Sequence, residues 1–243
     1  MTNIFNGGPV PEAHGERGEH KEIRHHFEDQ LDEIRSGLVE LTTLVLENTR
    51  RAGQVVAENR LDLIDVVRNG DDAIDDLYVE LEHQTFNILA LQQPVATDLR
   101  FLVAATRILY EAERSGDLAV NIVNRAESQS GFPQIPAIHS LLARLADESA
   151  AMFAQCVDAL ATFNPEIGES AEEFDDVVDT VTDRFFGTVH AHSAEIGLEC
   201  AVEMSHVGRF FERIADHGVN IAQNVTYVVT GHFPDVESAD PPE

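Results

Sequence analysis

Apolar residues recur along this chain at steps of three and four over almost its whole length. Phe27, Leu31, Ile34, Leu38, Leu41 and Val45 mark out the first such seam, the spacing that keeps side chains on one face of a helix. Ile74, Leu77, Leu81, Ile88 and Leu91 make a second, on a helix that begins near Leu61. Leu102, Ala105, Leu109, Ala112, Gly116, Ala119 and Val123 make a third. Gly131-Phe132-Pro133 and Pro136 then break the chain. The cycle restarts with Ile138, Leu142, Leu145, Met152, Cys156 and Leu160, and after Asn164-Pro165 with Phe174, Val177, Val181, Phe185 and Val189. Val207, Phe211, Ile214, Gly218, Ile221 and Val225 close it. No segment shows sustained alternation with a period of two, so no sheet is expected.

Three helices, a break and three helices, joined by short connections, must run antiparallel to their neighbours. The expectation is an all-α fold of two tandem three-helix bundles related by internal duplication, over residues 19–130 and 134–231. Pro94 fits the first turn of the third helix, where its missing N–H costs nothing. Residues 1–18, with Gly7-Gly8-Pro9, and 232–243, with Pro234, Pro241 and Pro242 among acids, are expected to be disordered tails.

A polar pattern sits on the third helix of each set. Glu113-Arg114-Ser115-Gly116-Asp117-Leu118-Ala119-Val120-Asn121-Ile122 recurs ninety-nine residues later as Glu212-Arg213-Ile214-Ala215-Asp216-His217-Gly218-Val219-Asn220-Ile221. Residues four apart share a helical face, so Glu113, Asp117 and Asn121 form one row, and Glu212, Asp216 and Asn220 another. Carboxylates at that spacing repel, by more when partly buried, and something must compensate them. The small residues beside each row let a neighbouring helix approach, and the candidate facing groups are acidic too: Glu82 beside His83, and Asp175, Asp179 and Asp183. Two readings stand. One is a solvated acidic face partly neutralised by Arg114, Arg213, Arg100 and Arg209. The other is a pair of oxygen cages for hard or borderline cations such as magnesium, manganese, iron or zinc.

Charge narrows the partners. With 44 acidic residues against 16 basic the net charge is −28, which argues against nucleic acid, whose binding rests on neutralising phosphates with Lys and Arg. It also disfavours anionic lipid and leaves cations and basic protein surfaces. Cys156 and Cys200 each lie within an apolar helical pattern and read as buried free thiols. The N-terminus has no apolar signal segment, and no apolar run approaches the roughly eighteen residues that span a bilayer, so a cytoplasmic protein without direct membrane insertion is expected. Glu80-x-x-His83 and Glu203-x-x-His206 match the pairing of ferritin-like di-iron bundles. They fall on non-equivalent helices, however, and Glu22-x-x-His25 matches as well. There is no phosphate-cradling glycine loop and no nucleophile motif.

Leu89-Ala90-Leu91-Gln92-Gln93-Pro94-Val95-Ala96-Thr97-Asp98-Leu99-Arg100, followed by the Glu113–Asp117 motif and its second copy, resembles the PhoU family of phosphate-uptake regulators over most of residues 20–231. The resemblance implies two three-helix bundles, a cytoplasmic homodimer, and no enzymatic activity. It implies negative regulation of the phosphate-starvation response, coupling the ATPase subunit of a phosphate-specific ABC transporter to a phosphate-sensing histidine kinase. The inner face of the membrane would be reached through those partners. Several members carry metal ions, including iron or zinc clusters, on the motifs that correspond here to Glu113/Asp117 and Glu212/Asp216, with Glu82 and Asp179 as matching acids. Ser115 replaces the usual Ile, Ala215 replaces Gly, and His217 follows the second Asp, where it could join the ligands. The second half has no counterpart of the Gln92–Arg100 segment, so its turn between helices five and six must be built differently.

Overall fold

Where the apolar seams run, the chain is helical. The computed structural model describes residues 14–232, and among them there is no strand. The helices are α1 (His14–Ala57), α2 (Ile64–Leu91), α3 (Ala96–Ser128), α4 (Pro136–Thr162), the short α5 (Pro165–Glu169), α6 (Ala171–Ala191), the single turn α7 (Ser193–Ile196) and α8 (Leu198–Thr230). A 3-10 turn, Leu61–Leu63, leads into α2. Helix α1 starts inside the stretch read as an N-terminal tail; residues 1–13 and 233–243, the rest of the two tail assignments, lie outside the described residues.

The seams are the buried faces. Ile34, Leu38, Leu41 and Val45 are wholly inaccessible, as are Phe153, Phe185 and Phe211 in the second half. Burying an aromatic of that size stabilises the fold by about 1.5–3 kcal/mol. Two seams shift from their sequence reading. Leu91, the last residue of α2, is 77% exposed, and Phe174 and Val177 are also exposed. The buried face of α6 instead runs through Ala171, Val178, Val181, Phe185 and Val189, because α5 sets the phase at which α6 begins.

Helix ends follow local chemistry. Pro136 and Pro165 open α4 and α5 in the first turn, where no N–H is needed, and the Asn164 side chain caps α5 by accepting from the Glu166 N–H. Pro94 does not take that position in α3. It precedes the extended Val95, in a tight turn that holds Gln93 and Ala96 at positive φ. The equivalent connection in the second half is built from α7 and Gly197, whose φ of 85° suits a residue without a side chain.

The two halves are not separate beads. Helices α3 and α8 make the most extensive helix contact, α1 packs on α4 as well as on α3, and the buried apolar residues form one cluster. Helix α2 lies outside this group against α1 and α3, and α6 lies outside it against α4 and α8. Each polar row therefore looks into a cleft on an outer flank, α2–α3 in the first half and α6–α8 in the second.

Candidate functional site

In the first cleft, Glu113 and Asp117 are half-buried on α3, and Asn121, one turn on, is exposed. Facing them on α2 are Asp71 and Asp75. The approach is close: a Cβ on Gly116 would lie 2.7 Å from Asp71 Oδ1. That oxygen is buried and has no hydrogen-bond partner. Burial, then the charges of Asp75, Asp117, Glu113 and Asp72, push the Asp71 carboxyl up to about 7. Asp75 and Glu113 are also raised, in each case first by burial and then by Asp117. Arg114 reaches Asp117 at 3.1 Å from an exposed position, a pairing worth little in water. Glu82, predicted as the facing acid, is half-buried farther along α2 and accepts a 2.8 Å hydrogen bond from the Tyr78 hydroxyl. That bond, burial, and the charges of Glu82 and Glu113 raise Tyr78 to about 12.

The second cleft repeats this arrangement. Glu212 and Asp216 on α8 are half-buried and meet Asp175 and Asp179 on α6, while Asp183 is exposed beyond them. Burial, then Asp175, Glu212 and Asp179, lift Asp216 to about 6 against the weaker opposing pull of Arg209. Asp175 is raised by burial and by Asp179, Asp176 and Glu212. Arg209 pairs with one oxygen of Glu212, but the other, like Asp175 Oδ1, is buried without a partner. Asn220 leaves this row: its amide donates to Glu111 Oε1 across the α3–α8 contact at 3.2 Å.

His217 is not available to the second row. One residue past Asp216 turns it about 100° around the helix, and it faces α3, only 8% exposed. Its Nδ1 lies 3.0 Å from Ser115 Oγ and its Nε2 3.7 Å from Glu111 Oε2. Burial, then the charges of Arg213 and Arg114, hold it down to about 4, so it is neutral at physiological pH. The Glu-x-x-His pairs also lie off the rows. Glu203 is engaged by Arg125 at 2.9 Å and His206 at 3.8 Å, and Glu80 by Gln84.

Sequence reasoning missed Asp71 and Asp75, although a signal existed. Asp71-Asp72-Ala73-Ile74-Asp75 and Asp175-Asp176-Val177-Val178-Asp179 are one pattern, two Asp, two non-charged residues and a third Asp. The acidic rows face duplicated acidic rows.

Each cleft thus holds four carboxylates, with some oxygens buried and unpartnered and some carboxyls raised by burial and then by mutual repulsion. A proton or a cation relieves both problems. An all-oxygen donor set suits hard cations; the residues placed to hold one are Asp71, Asp75, Glu113 and Asp117, and Asp175, Asp179, Glu212 and Asp216. Among the described residues no three acids, histidines or cysteines already converge on a point. The side chains stand as rows along facing helices and would turn inward to grip an ion.

Comparisons with known proteins match the duplication. The PhoU domain model fits twice, over residues 38–126 and 142–225. A phosphate-specific transport system accessory protein PhoU homolog from Synechocystis sp. is 34% identical over 86% of this chain and 93% of its own length. PhoU homolog 2 from Mycobacterium tuberculosis is 29% identical over 87% of this chain and 100% of its own. The crystal structure of PhoU from Pseudomonas aeruginosa superposes with a TM-score of 0.80 at 26% identity, covering 85% of this chain and all of the other. PhoU from Streptococcus pneumoniae shares the fold, with a TM-score of 0.77 over 86% of this chain and all of the other, at 22% identity. With two tandem PhoU domains, an all-helical fold and relatives at this identity over most of its length, the chain belongs to the PhoU family.

Proposed function

We propose that this chain is a non-enzymatic accessory regulator of phosphate uptake, restraining the phosphate-starvation response by linking the ATPase of a phosphate ABC transporter to a sensor histidine kinase. Membership of a family whose curated relatives are named as phosphate-specific transport system accessory proteins carries this reading. The surface supports it. An adaptor works through uncovered contact area, and the tip joining α2 to α3 exposes Phe86, Leu91, Val95 and Leu99, with Leu91 and Val95 more than two-thirds accessible. The net charge of −28 adds attraction to basic partner surfaces. No helix among the described residues is long and apolar enough to cross a membrane; in this reading the transporter and kinase are met from the cytoplasmic side, through their soluble parts.

The carboxylate clefts bind hard cations in this reading, and the cations brace α2 and α6 against the central helices. Deleting the gene derepresses phosphate-starvation reporters in phosphate-rich medium, and a chain carrying Leu91→Glu and Val95→Glu fails to restore repression while folding normally. Unchanged reporter output on deletion would sink the adaptor role.

A second reading, a metal-storage or di-iron bundle, draws on the same unpartnered oxygens of Asp71, Asp175 and Glu212. It requires stoichiometric redox-active iron and oxygen-dependent turnover. Protein loaded anaerobically with ferrous iron and showing neither rules it out.

A further inference from the structure

Ser115 on α3 and His217 on α8 touch each other. Ser115 is wholly buried on α3, between Glu113 and Asp117 in sequence but on the opposite side of the helix, facing α8. His217 directly follows Asp216 and faces α3. Their contact, 3.0 Å between Oγ and Nδ1, lies within the most extensive helix contact of the molecule. The Ser115 hydroxyl donates to the Glu111 backbone carbonyl at 2.8 Å, so its oxygen accepts from His217 Nδ1–H, and the Nε2 of the neutral ring lies 3.7 Å from Glu111 Oε2. Glu111 also accepts from Asn220 at 3.2 Å, and the charge of Asp216 raises its carboxyl after burial has done so. Each helix thus presents one face to its own acidic cleft and another to a shared buried polar seam.

We propose that Ser115 and His217 are positioning residues that couple the two carboxylate clefts, so that a cation in one changes the affinity of the other. Apolar helix seams tolerate small sliding and rotation; a hydrogen bond inside them does not, because it weakens steeply with distance and angle and has no water to replace it. Turning Glu212 and Asp216 towards an ion in the α6–α8 cleft rotates or shifts α8. The Ser115–His217 bond carries that movement into α3, where it changes how Glu113 and Asp117 present themselves to Asp71 and Asp75. Coupling of this kind is reciprocal: whatever the second cleft does to the first, the first does to the second.

This inference rests on the cation-binding reading, and one experiment separates the two. The full chain, stripped by chelation, is titrated with Mn2+ by calorimetry. Asp117→Asn and Asp216→Asn chains give the affinity of each cleft when the other is disabled. In the unmodified chain, filling one cleft shifts the affinity of the other by about fivefold or more, the range typical of coupled sites. In Ser115→Ala and in His217→Leu the clefts titrate independently, each with the affinity it shows alone. His217→Asn, which keeps a polar atom towards Ser115, restores the shift; a purely structural role would alter stability without this pattern. Ser115→Ala removes one oxygen and leaves the helix intact, so the test stands even where His217→Leu folds poorly. Mn2+ uptake with the same coupling in Ser115→Ala as in the unmodified chain overturns the inference alone. No uptake by either cleft overturns the cation reading and the inference with it.

Discussion

Asp71 is a carboxylate whose surroundings favour its protonated form. Its pKa in the folded chain, about 7, lies above the ordinary value of 3.8, so between those values the folded state binds more protons than the unfolded one. Stability from this group is fully present below about pH 4 and is lost as pH rises through about 7. Asp216, raised to about 6, adds the same trend over a narrower window. Asp71→Asn removes the charge and keeps the shape. In chelator-treated protein it should flatten the decline between pH 4 and 7 and add about 1–2 kcal/mol of stability at pH 7.5, after allowance for solvent screening. Urea unfolding at several pH values reads this directly, and parallel curves for the two chains would show that Asp71 is not the strained group. The acids on α3 and α8 were legible because their four-residue spacing is duplicated. The misreading of His217 has a physical source. Periodicity gives a helix's phase relative to its own seam, but not which neighbour lies on each side. Read as one helix of a three-helix bundle, α8 lacks the neighbour, α3, that His217 faces.

At the scale of the helix, close approach of α6 to α8 depends on an absent side chain. A Cβ on Gly208 would fall 2.8 Å from two ring atoms of Phe185, which is wholly buried, and 2.9 Å from Phe186. Alanine gains about 1 kcal/mol of helix propensity over glycine, but forcing α6 outward costs more, so Gly208→Ala should lose about 1–3 kcal/mol overall. Thermal unfolding shows this as a lower Tm; an unchanged or higher Tm would mean that the rings move aside freely. Most of the helical layout was legible in the sequence, since long seams with proline and glycine breaks leave few alternatives. The ends of helices were not. Whether Phe174 and Val177 face inwards depends on the phase set by α5, a turn and a half whose pattern is too short to read. Pro94 sits outside α3 because Gln93 and Ala96 both adopt positive φ, a backbone choice that residue type alone does not announce.

At the scale of the whole molecule, charge and cation binding act together. A chain at −28 repels itself, and its most concentrated self-repulsion lies in the two clefts. A divalent cation at a hundred times its Kd should stabilise the folded chain by about 2.7 kcal/mol per occupied cleft. Scanning fluorimetry of chelator-treated protein with added Mn2+ should show a Tm rise that is halved in Asp117→Asn and absent when Asp216→Asn is added. An equal rise in all three chains would mean that the ion acts by general screening.

The junction of α3 with α8 also speaks to ancestry. A chain with one repeat alone would leave the inner face of its third helix, with apolar residues such as Ala112, Ala119 and Ile122, open to water. The surface that fits such a face is the same face on a second copy, in a twofold pair. On that view the gene for this chain preserves, in one polypeptide, what was once an encounter between two. Ser115 and His217 stand where the opposite repeat has Ile214 and Leu118, and they are the trace of the moment when the partners no longer had to be the same.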